Sequence, residues 1–261
     1  MSFKLSVDVL QMILDNVDKA DLAAVCQVNK VCCSYAQDIL YRDIIVDTDH
    51  RLQVCQTLAR SAHLAKRVRS FVVTAKKYHS PEEMAKALRN MTSLRILTLH
   101  SQPSYILDEC TFELDSFAFH RPYDSHLNDF LYSQPNLAHL EYFNLSNHVT
   151  VEFKGSVLPN LTRVSSPFFW LPYIIPGRPV SEVNAAFENW IYHGDFNLNF
   201  FTLSTAPIRR LAILYCHLDS TPEQRLASIF PSLVHLTVHM KIDGRELFRE
   251  VRAPFFQFPS H

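Results

Sequence analysis

The chain has 261 residues, 48% hydrophobic and 20% charged, with a net charge of −1; this suits a globular protein with one or two domains and a buried core. Only 4 glycines stand against 14 prolines, neither glycine-rich phosphate-binding fingerprint occurs, and the near-neutral charge argues against nucleic acid as primary partner. Met1-Ser2-Phe3-Lys4 is followed by acidic residues rather than a secretory signal. No apolar run reaches the roughly 18 residues needed to span a bilayer; the stretch from Phe168 to Ile175 is short and broken by Pro172. A cytoplasmic or nuclear protein without membrane association is expected. Its six cysteines should be free, buried thiols, and the sequons at Asn90, Asn144 and Asn160 chance matches.

Residues 5–17 read as a helix. At 100° per residue, Val7, Val9, Leu10, Ile13, Leu14 and Val17 cover an arc of roughly 160°, with Asp8, Gln11, Asp15 and Asn16 opposite. Asp18 is placed to N-cap a second helix with Asp21 in its first turn, and Leu22, Val25 and Cys26 recur at i, i+3, i+4. Cys32, Tyr35, Ala36, Ile39 and Leu40 mark a third. Neither glycine nor proline interrupts residues 1–80. So short a module seldom buries enough surface to be stable alone, and each exposed Leu or Ile forgoes about 1.5–3 kcal/mol of burial. The apolar arc therefore needs a second surface: the rest of this chain, which the helices would cap, or another protein.

The order of these residues resembles the F-box: Leu5 and an acidic position after it, Val9-Leu10 and Ile13-Leu14, Val17, Asp21-Leu22, then Val28-Asn29-Lys30, Ala36 and Leu40-Tyr41-Arg42. Ser6 stands where that family usually has proline, and Cys32 where it usually has tryptophan. The resemblance implies that residues 1–45 dock on a Skp-type adaptor and, through it, a cullin. Leu5, Val9, Leu10, Ile13, Leu14, Val17, Leu22 and Val28 would form that contact.

Residues 46–66 read as a linker and capping helix, with His50 to Ala65 placing Leu52, Cys55, Leu58, Ala59 and Ala62 on one face. From residue 67 to 261 a template L-x-x-L-x-L, with aliphatic or aromatic substitutes, recurs. It runs through Val68-Phe71-Val73, Leu94-Leu97-Leu99, Leu114-Phe117-Phe119, Leu137-Leu140-Tyr142, the weaker Leu161-Val164 and Val180-Val183, Ile208-Leu211-Ile213 and Leu233-Leu236-Val238. Start-to-start spacings of 19 to 28 residues are close to the period of leucine-rich repeats. Copies are introduced by Ser93, Pro135, Pro159 or Pro231, which end the preceding segment. The expected fold is α/β: a three-helix F-box, then an irregular leucine-rich-repeat solenoid of parallel strands with convex-side helices such as Pro81 to Arg89 and Pro222 to Ile229. An ordinary α/β domain with irregular alternation is the alternative. Leu97 and Leu99 should point inward and Ile96, Thr98 and His100 outward. Ser165 to Trp190 is either a long loop or a degraded repeat. At the end, either Arg245 to Val251 forms a capping helix and the aromatic tail folds back, or the chain is shorter than its relatives.

No motif nominates a catalytic residue, so an enzyme is not expected. His235 and His239 sit four apart in a strand pattern, a separation of roughly 13 Å. Cys32-Cys33 and Cys216-His217 lack a matching second pair, so neither metal nor other cofactor is expected. The outward strand positions are the candidate surface: His100, His120, His139, Glu141, Phe143, Arg210, His235 and His239, with Arg163, Arg209 and Thr237. Mixed aromatic, arginine and histidine character suits a protein partner, and histidines would make binding pH-sensitive; a solvated face is the alternative. An F-box followed by leucine-rich repeats is similar to proteins of that kind in mushroom-forming fungi. It implies a substrate-recognition subunit of a cullin–RING (SCF-type) ubiquitin ligase, acting by proximity. The alternative is a non-catalytic repeat scaffold whose N-terminal helices only cap the solenoid.

Overall fold

A computed structural model describes residues 6–47, 52–74, 80–143, 157–186, 198–214, 229–242 and 245–252; of 52, 214 and 239–252 it describes the backbone alone. The chain divides into two compact units, Met1–Glu113 and Leu114–His261, a boundary inside the run of strand templates.

The first unit opens with helices α1 (Val7–Leu14), α2 (Lys19–Val25) and α3 (Lys30–Arg42). Ser6 is the N-cap of α1, its Oγ accepting from the Val9 amide at 3.4 Å. Asn29 caps α3, accepting from the Cys32 amide at 2.9 Å. Asp18 occupies the N-cap position of α2, but its side chain makes no capping bond. Each bond satisfies one of the amides a helix start leaves without an intrahelical partner. Leu14, Leu22 and Ala36 form the core of this module, with Leu10, Val17, Val25, Tyr35, Ile39 and Leu40 packed around them.

Helix α3 runs directly into β1 (Asp43–Val46), followed by α4 (Leu52–Arg60), α5 (Ala62–Ala65), β2 (Ser70–Val73), α6 (Pro81–Asn90) and β3 (Ile96–Leu99). The predicted single helix from His50 to Ala65 is broken at Ser61, which leaves helical geometry (φ −122, ψ 80) while its carbonyl accepts from the Leu64 and Ala65 amides. Cys55, Leu58 and Ala59 are buried as expected, but beyond the break Ala62 is exposed. Helix α6 has Pro81 in its first turn with Glu82 and Glu83, and Arg89 in its last, the polarity the helix dipole favours. The three strands are parallel and adjacent in chain order. Ile44, Phe71 and Leu97 align in one row and Val46, Val73 and Leu99 in the next, all buried. Ile96 is exposed on the opposite face, as the alternation predicts.

In the second unit β4 (Ser116–Phe119), β5 (His139–Tyr142), β6 (Arg163–Pro167), β7 (Glu182–Ala186), β8 (Arg210–Leu214) and β9 (His235–Ile242) lie parallel in chain order. Phe117, Leu140, Val164, Val183, Leu211 and Leu236 stand in register as one buried row. Helix α7 (Ser125–Tyr132), capped by Asp124 accepting from the Leu127 amide at 2.9 Å, and the short α8 (Leu171–Ile174) lie between strands. The sheet closes with β10 (Arg245–Arg252), antiparallel to β9. Of the two alternatives for this end, the capping helix at Arg245 to Val251 is thus corrected to a strand. The free edge of β9 offers unpaired amides and carbonyls, and an adjacent segment satisfies them better as a strand than as a helix.

The repetition extends to individual hydrogen bonds. A tight turn precedes the strands, with the amide of Val68, Leu94, Leu137, Leu161 and Leu233 each donating to the carbonyl three residues before. Just ahead of six of the strands, one carbonyl takes two consecutive amides from the next copy. That of Arg69 accepts from Arg95 and Ile96, Asp115 from Ala138 and His139, and Ala138 from Thr162 and Arg163. Likewise Thr162 accepts from Ser181 and Glu182, Ser181 from Arg209 and Arg210, and Arg209 from Val234 and His235, all at 2.8–3.1 Å. Asn160, next to Pro159, donates from its side chain to the carbonyl of Pro135, the equivalent proline one copy earlier, at 3.0 Å.

From Ser165 to residue 186 the chain is not one long loop: it holds the end of β6, the short α8 and β7, and residues 187–190 lie outside the described residues. Aromatic rings fill the back of this stretch: Trp170 packs edge-on to Tyr142 (centroids 4.7 Å) and against Tyr123 (5.1 Å), and Phe168 meets Phe200 at 5.6 Å. The segment Pro222 to Ile229 lies outside the described residues except for its last position. Of the cysteines, Cys55 is buried while Cys26, Cys32, Cys33 and Cys110 are half-buried free thiols, which corrects the expectation of uniform burial; Cys216 lies outside the described residues. Burial pushes the Cys110 thiol up to about 12. Among the described residues no helix is long and apolar enough to cross a membrane.

Candidate docking surfaces

The predicted contact residues of the N-terminal helices separate into three groups. Val9, Ile13 and Val28 are exposed, Leu10 and Val17 are half-buried against the module's own core, and Leu14 and Leu22 are buried at 3% and 0% exposure. The last two were expected at the adaptor contact. They are corrected here to core residues: α1, α2 and α3 must use part of the apolar arc to hold each other, and no partner reaches those side chains. Leu5 lies outside the described residues.

What remains on the surface is larger than the sequence reading named. Met12 (62% exposed), Val31 and Val7 join Val9, Ile13 and Val28. Val9, Met12 and Ile13 stand at i, i+3, i+4 on α1, so they share a face, and Val28 and Val31 flank the start of α3. The spacing of Met12 to Val9 was the available signal; its position at the edge of the arc hid it. A monomer that needed no partner would gain by making these residues polar.

The second surface is the outward face of β5–β9. Register places His139, Arg163, Glu182, Arg210 and His235 side by side on successive strands, and Glu141, Ser165, Asn184, Ala212 and Thr237 in the next row. The carboxylate of Glu182 lies 3.8 Å from Arg163 Nε and 3.5 Å from an Arg210 terminal nitrogen. One carboxylate serves two guanidinium groups, which leaves one positive charge in excess. Glu182 and Asn184, absent from the predicted set, belong to the weak Val180-Val183 copy; aligning Val183 with Leu140 puts Glu182 opposite His139 and would have found it. Asn184 Oδ1 is buried without a hydrogen-bond partner among the described residues, in a concavity of about 250 Å³ between Arg163, Arg210 and Thr237. Burial and then the Arg163 charge hold the His139 imidazole below its ordinary value, against the opposing pull of Glu182 and Asp115.

Further along the face, His120 Nε2 lies 3.2 Å from Glu141 Oε1, and the His120 ring is 5.6 Å from that of Phe143. The predicted set is thus brought together in the second unit as a charged row and a His120–Glu141–Phe143 group. His100 belongs to the first unit, following β3, and the His239 side chain lies outside the described residues.

No family model matches this sequence, and no curated protein matches it. Surface chemistry therefore carries the functional reading. Among the described residues no three His, Cys, Asp or Glu side chains gather as metal ligands would.

Proposed function

We propose that this chain is a non-enzymatic substrate receptor of a cullin–RING ubiquitin ligase, an F-box module followed by leucine-rich repeats. The helices would bind a Skp-type adaptor and, through it, a cullin, and the outward sheet face would bind a target protein. The observation that carries the reading is the exposed apolar set Val9, Met12, Ile13, Val28 and Val31 on a module that already has its own core. Those side chains lie outside the module's core, and covering their remaining exposed surface in a partner recovers part of the about 1.5–3 kcal/mol that full burial of each brings. The regular order of parallel strands supports a repeat array as the second half. Catalysis would consist of proximity, raising the local concentration of target lysines near a loaded conjugating enzyme.

The test is co-expression with a Skp-type adaptor. Wild-type chain should co-purify with it, and Ile13→Asp should not. Ile13 is the better site than Leu10, because Leu10 packs on the module's core and its loss confounds folding with binding. A wild-type chain that never retains the adaptor overturns the proposal.

A second reading, a repeat scaffold merely capped by its helices, is favoured by one observation. Arg67, just before β2, donates to the Ser34 carbonyl at 3.0 Å and pairs with Asp38, both on α3. This ties the helices to the sheet as a cap would be tied. That reading predicts no adaptor binding by either protein.

A further inference from the structure

The strongest feature outside both docking surfaces is a basic concavity in the first unit. It has a volume of about 440 Å³ and is walled by α1 (Gln11, Asp15), α3 (Tyr35, Asp38, Ile39, Arg42) and the α5–β2 connection (His63, Lys66, Arg67, Arg69). Four permanent cations face two carboxylates there. With Asp43 also paired to Arg42, this leaves a local excess of one positive charge in a chain of net charge −1.

The cations are not equivalent. Arg42 lies 3.2 Å from Asp43 and 3.8 Å from Asp15. Arg67 is held by Asp38 and by the Ser34 carbonyl, which fixes its guanidinium, yet its Nε is buried without a hydrogen-bond partner. Lys66 and Arg69 have no carboxylate partner among the described residues, and Arg69 is steered by one bond to the Ser93 carbonyl at 3.0 Å. A pre-oriented guanidinium beside two unneutralised cations suits a compact dianion, since charge-assisted bonds from arginine to phosphate oxygens are short and directional. The volume falls in the range of small-molecule sites, and walls from three elements form an open concavity rather than a groove that tracks a polymer.

We infer that this concavity binds the phosphate or polyphosphate group of a small soluble molecule, with Lys66, Arg67 and Arg69 as its ligands. The site does not depend on adaptor docking, because the exposed Val9, Met12 and Ile13 do not line it.

The experiment is calorimetric titration of the full chain with inorganic phosphate, tripolyphosphate and ATP at low ionic strength. Expected is saturable binding at one site per chain, tighter for tripolyphosphate than for phosphate and weakened by added salt. Lys66→Ala/Arg69→Ala should lower affinity at least tenfold with an unchanged melting temperature in the absence of ligand. Should the double variant melt early, Lys66→Gln alone, which leaves the Arg69–Ser93 bond intact, should still lower affinity measurably. Arg163→Ala/Arg210→Ala, in the second unit, should bind as wild type does. Equal binding of tripolyphosphate and ATP assigns recognition to the phosphate chain; tighter ATP binding assigns part of it to the nucleoside, and both fit the inference. Absence of saturable binding at millimolar tripolyphosphate overturns it, as does equal affinity in the Lys66 and Arg69 variants. Binding of a phosphoserine peptide but of none of the three small probes overturns it too. The Ile13→Asp variant should keep phosphate binding, so failure of the adaptor proposal and failure of this one are distinguishable.

Discussion

Arg178 shows how much one side chain carries in this fold. It is 4% exposed, and its guanidinium donates to the carbonyls of Val157 (2.6 Å), Ile174 (2.7 Å), Pro176 (3.1 Å) and Tyr173 (3.3 Å). Tyr173 and Ile174 lie in the last turn of α8, only four residues long, where a helix leaves its carbonyls without intrahelical partners; Pro176 lies just past that end and Val157 ahead of β6. Burial pulls its pKa down while nearby Tyr132 opposes this, and arginine stays charged in any case. Arg178→Met keeps much of the volume but strands the buried acceptors, each at a cost of about 1–3 kcal/mol. The expected loss is about 3 kcal/mol in urea unfolding with an unchanged m-value; a loss under about 0.5 kcal/mol would show that solvent replaces those bonds. His139 gives a pH dependence of definite sign. Its folded pKa is depressed by burial and Arg163, so below the unfolded value of about 6.5 the unfolded chain takes up a proton more readily than the folded one. Stability from this group is therefore intact at neutral pH and falls as the pH drops through 6.5, until folded His139 also protonates. His139→Gln should shrink the fall in melting temperature between pH 7.5 and 5.5. An identical fall in both proteins would remove the burial argument.

At the scale of elements, the strands are placed by a period-2 pattern and the helices by caps, but the last element answers to neither. Arg245–Arg252 pairs with Ile242–His235 along eight residues, converting the edge of a parallel sheet into a hairpin. A chain stopped after Ile242 should therefore expose β9 and self-associate. Sedimentation velocity across a concentration series checks this, and a monodisperse truncated monomer would mean that β9 needs no cover. The break at Ser61 has the same lesson on the helical side. Residues 52–65 have one apolar face by periodicity, yet α5 closes its own turn onto the Ser61 carbonyl. From there the chain enters the tight turn at 65–68 that launches β2. The demand of the repeat for that turn outweighs continuation of the helix.

At the scale of the whole molecule, the two compact units divide the proposed labour. The first carries the exposed apolar helices and the basic concavity, the second most of the outward charged row. Ile13→Asp changes a surface residue of the first unit only, so it should abolish adaptor capture while far-UV circular dichroism and thermal unfolding remain as in wild type. Loss of both together would show that Ile13 is structural and would withdraw it as evidence for docking.

The eight template copies, the inward rows and three helices at the N-terminus were legible in the amino-acid order, because alternation and helical periodicity are local properties of the chain. The charged row was legible only in part: His139, Arg210 and His235 fall on strong templates, while Arg163 and Glu182 sit on the two weaker ones. What the order could not decide was which residues of a wide apolar arc face inward. Leu14 and Leu22 differ from Ile13 and Val28 only in what folds over them, and that depends on how three helices pack. Nor could it decide β1, whose four residues become a strand because β2 lies beside them, or β10, which takes its form from an edge waiting to be paired. The basic concavity joins residues 11 to 69 across three elements, and no local pattern records that convergence. Helix packing, strand pairing and the convergence of separate elements settle those choices, and only the tertiary structure supplies them.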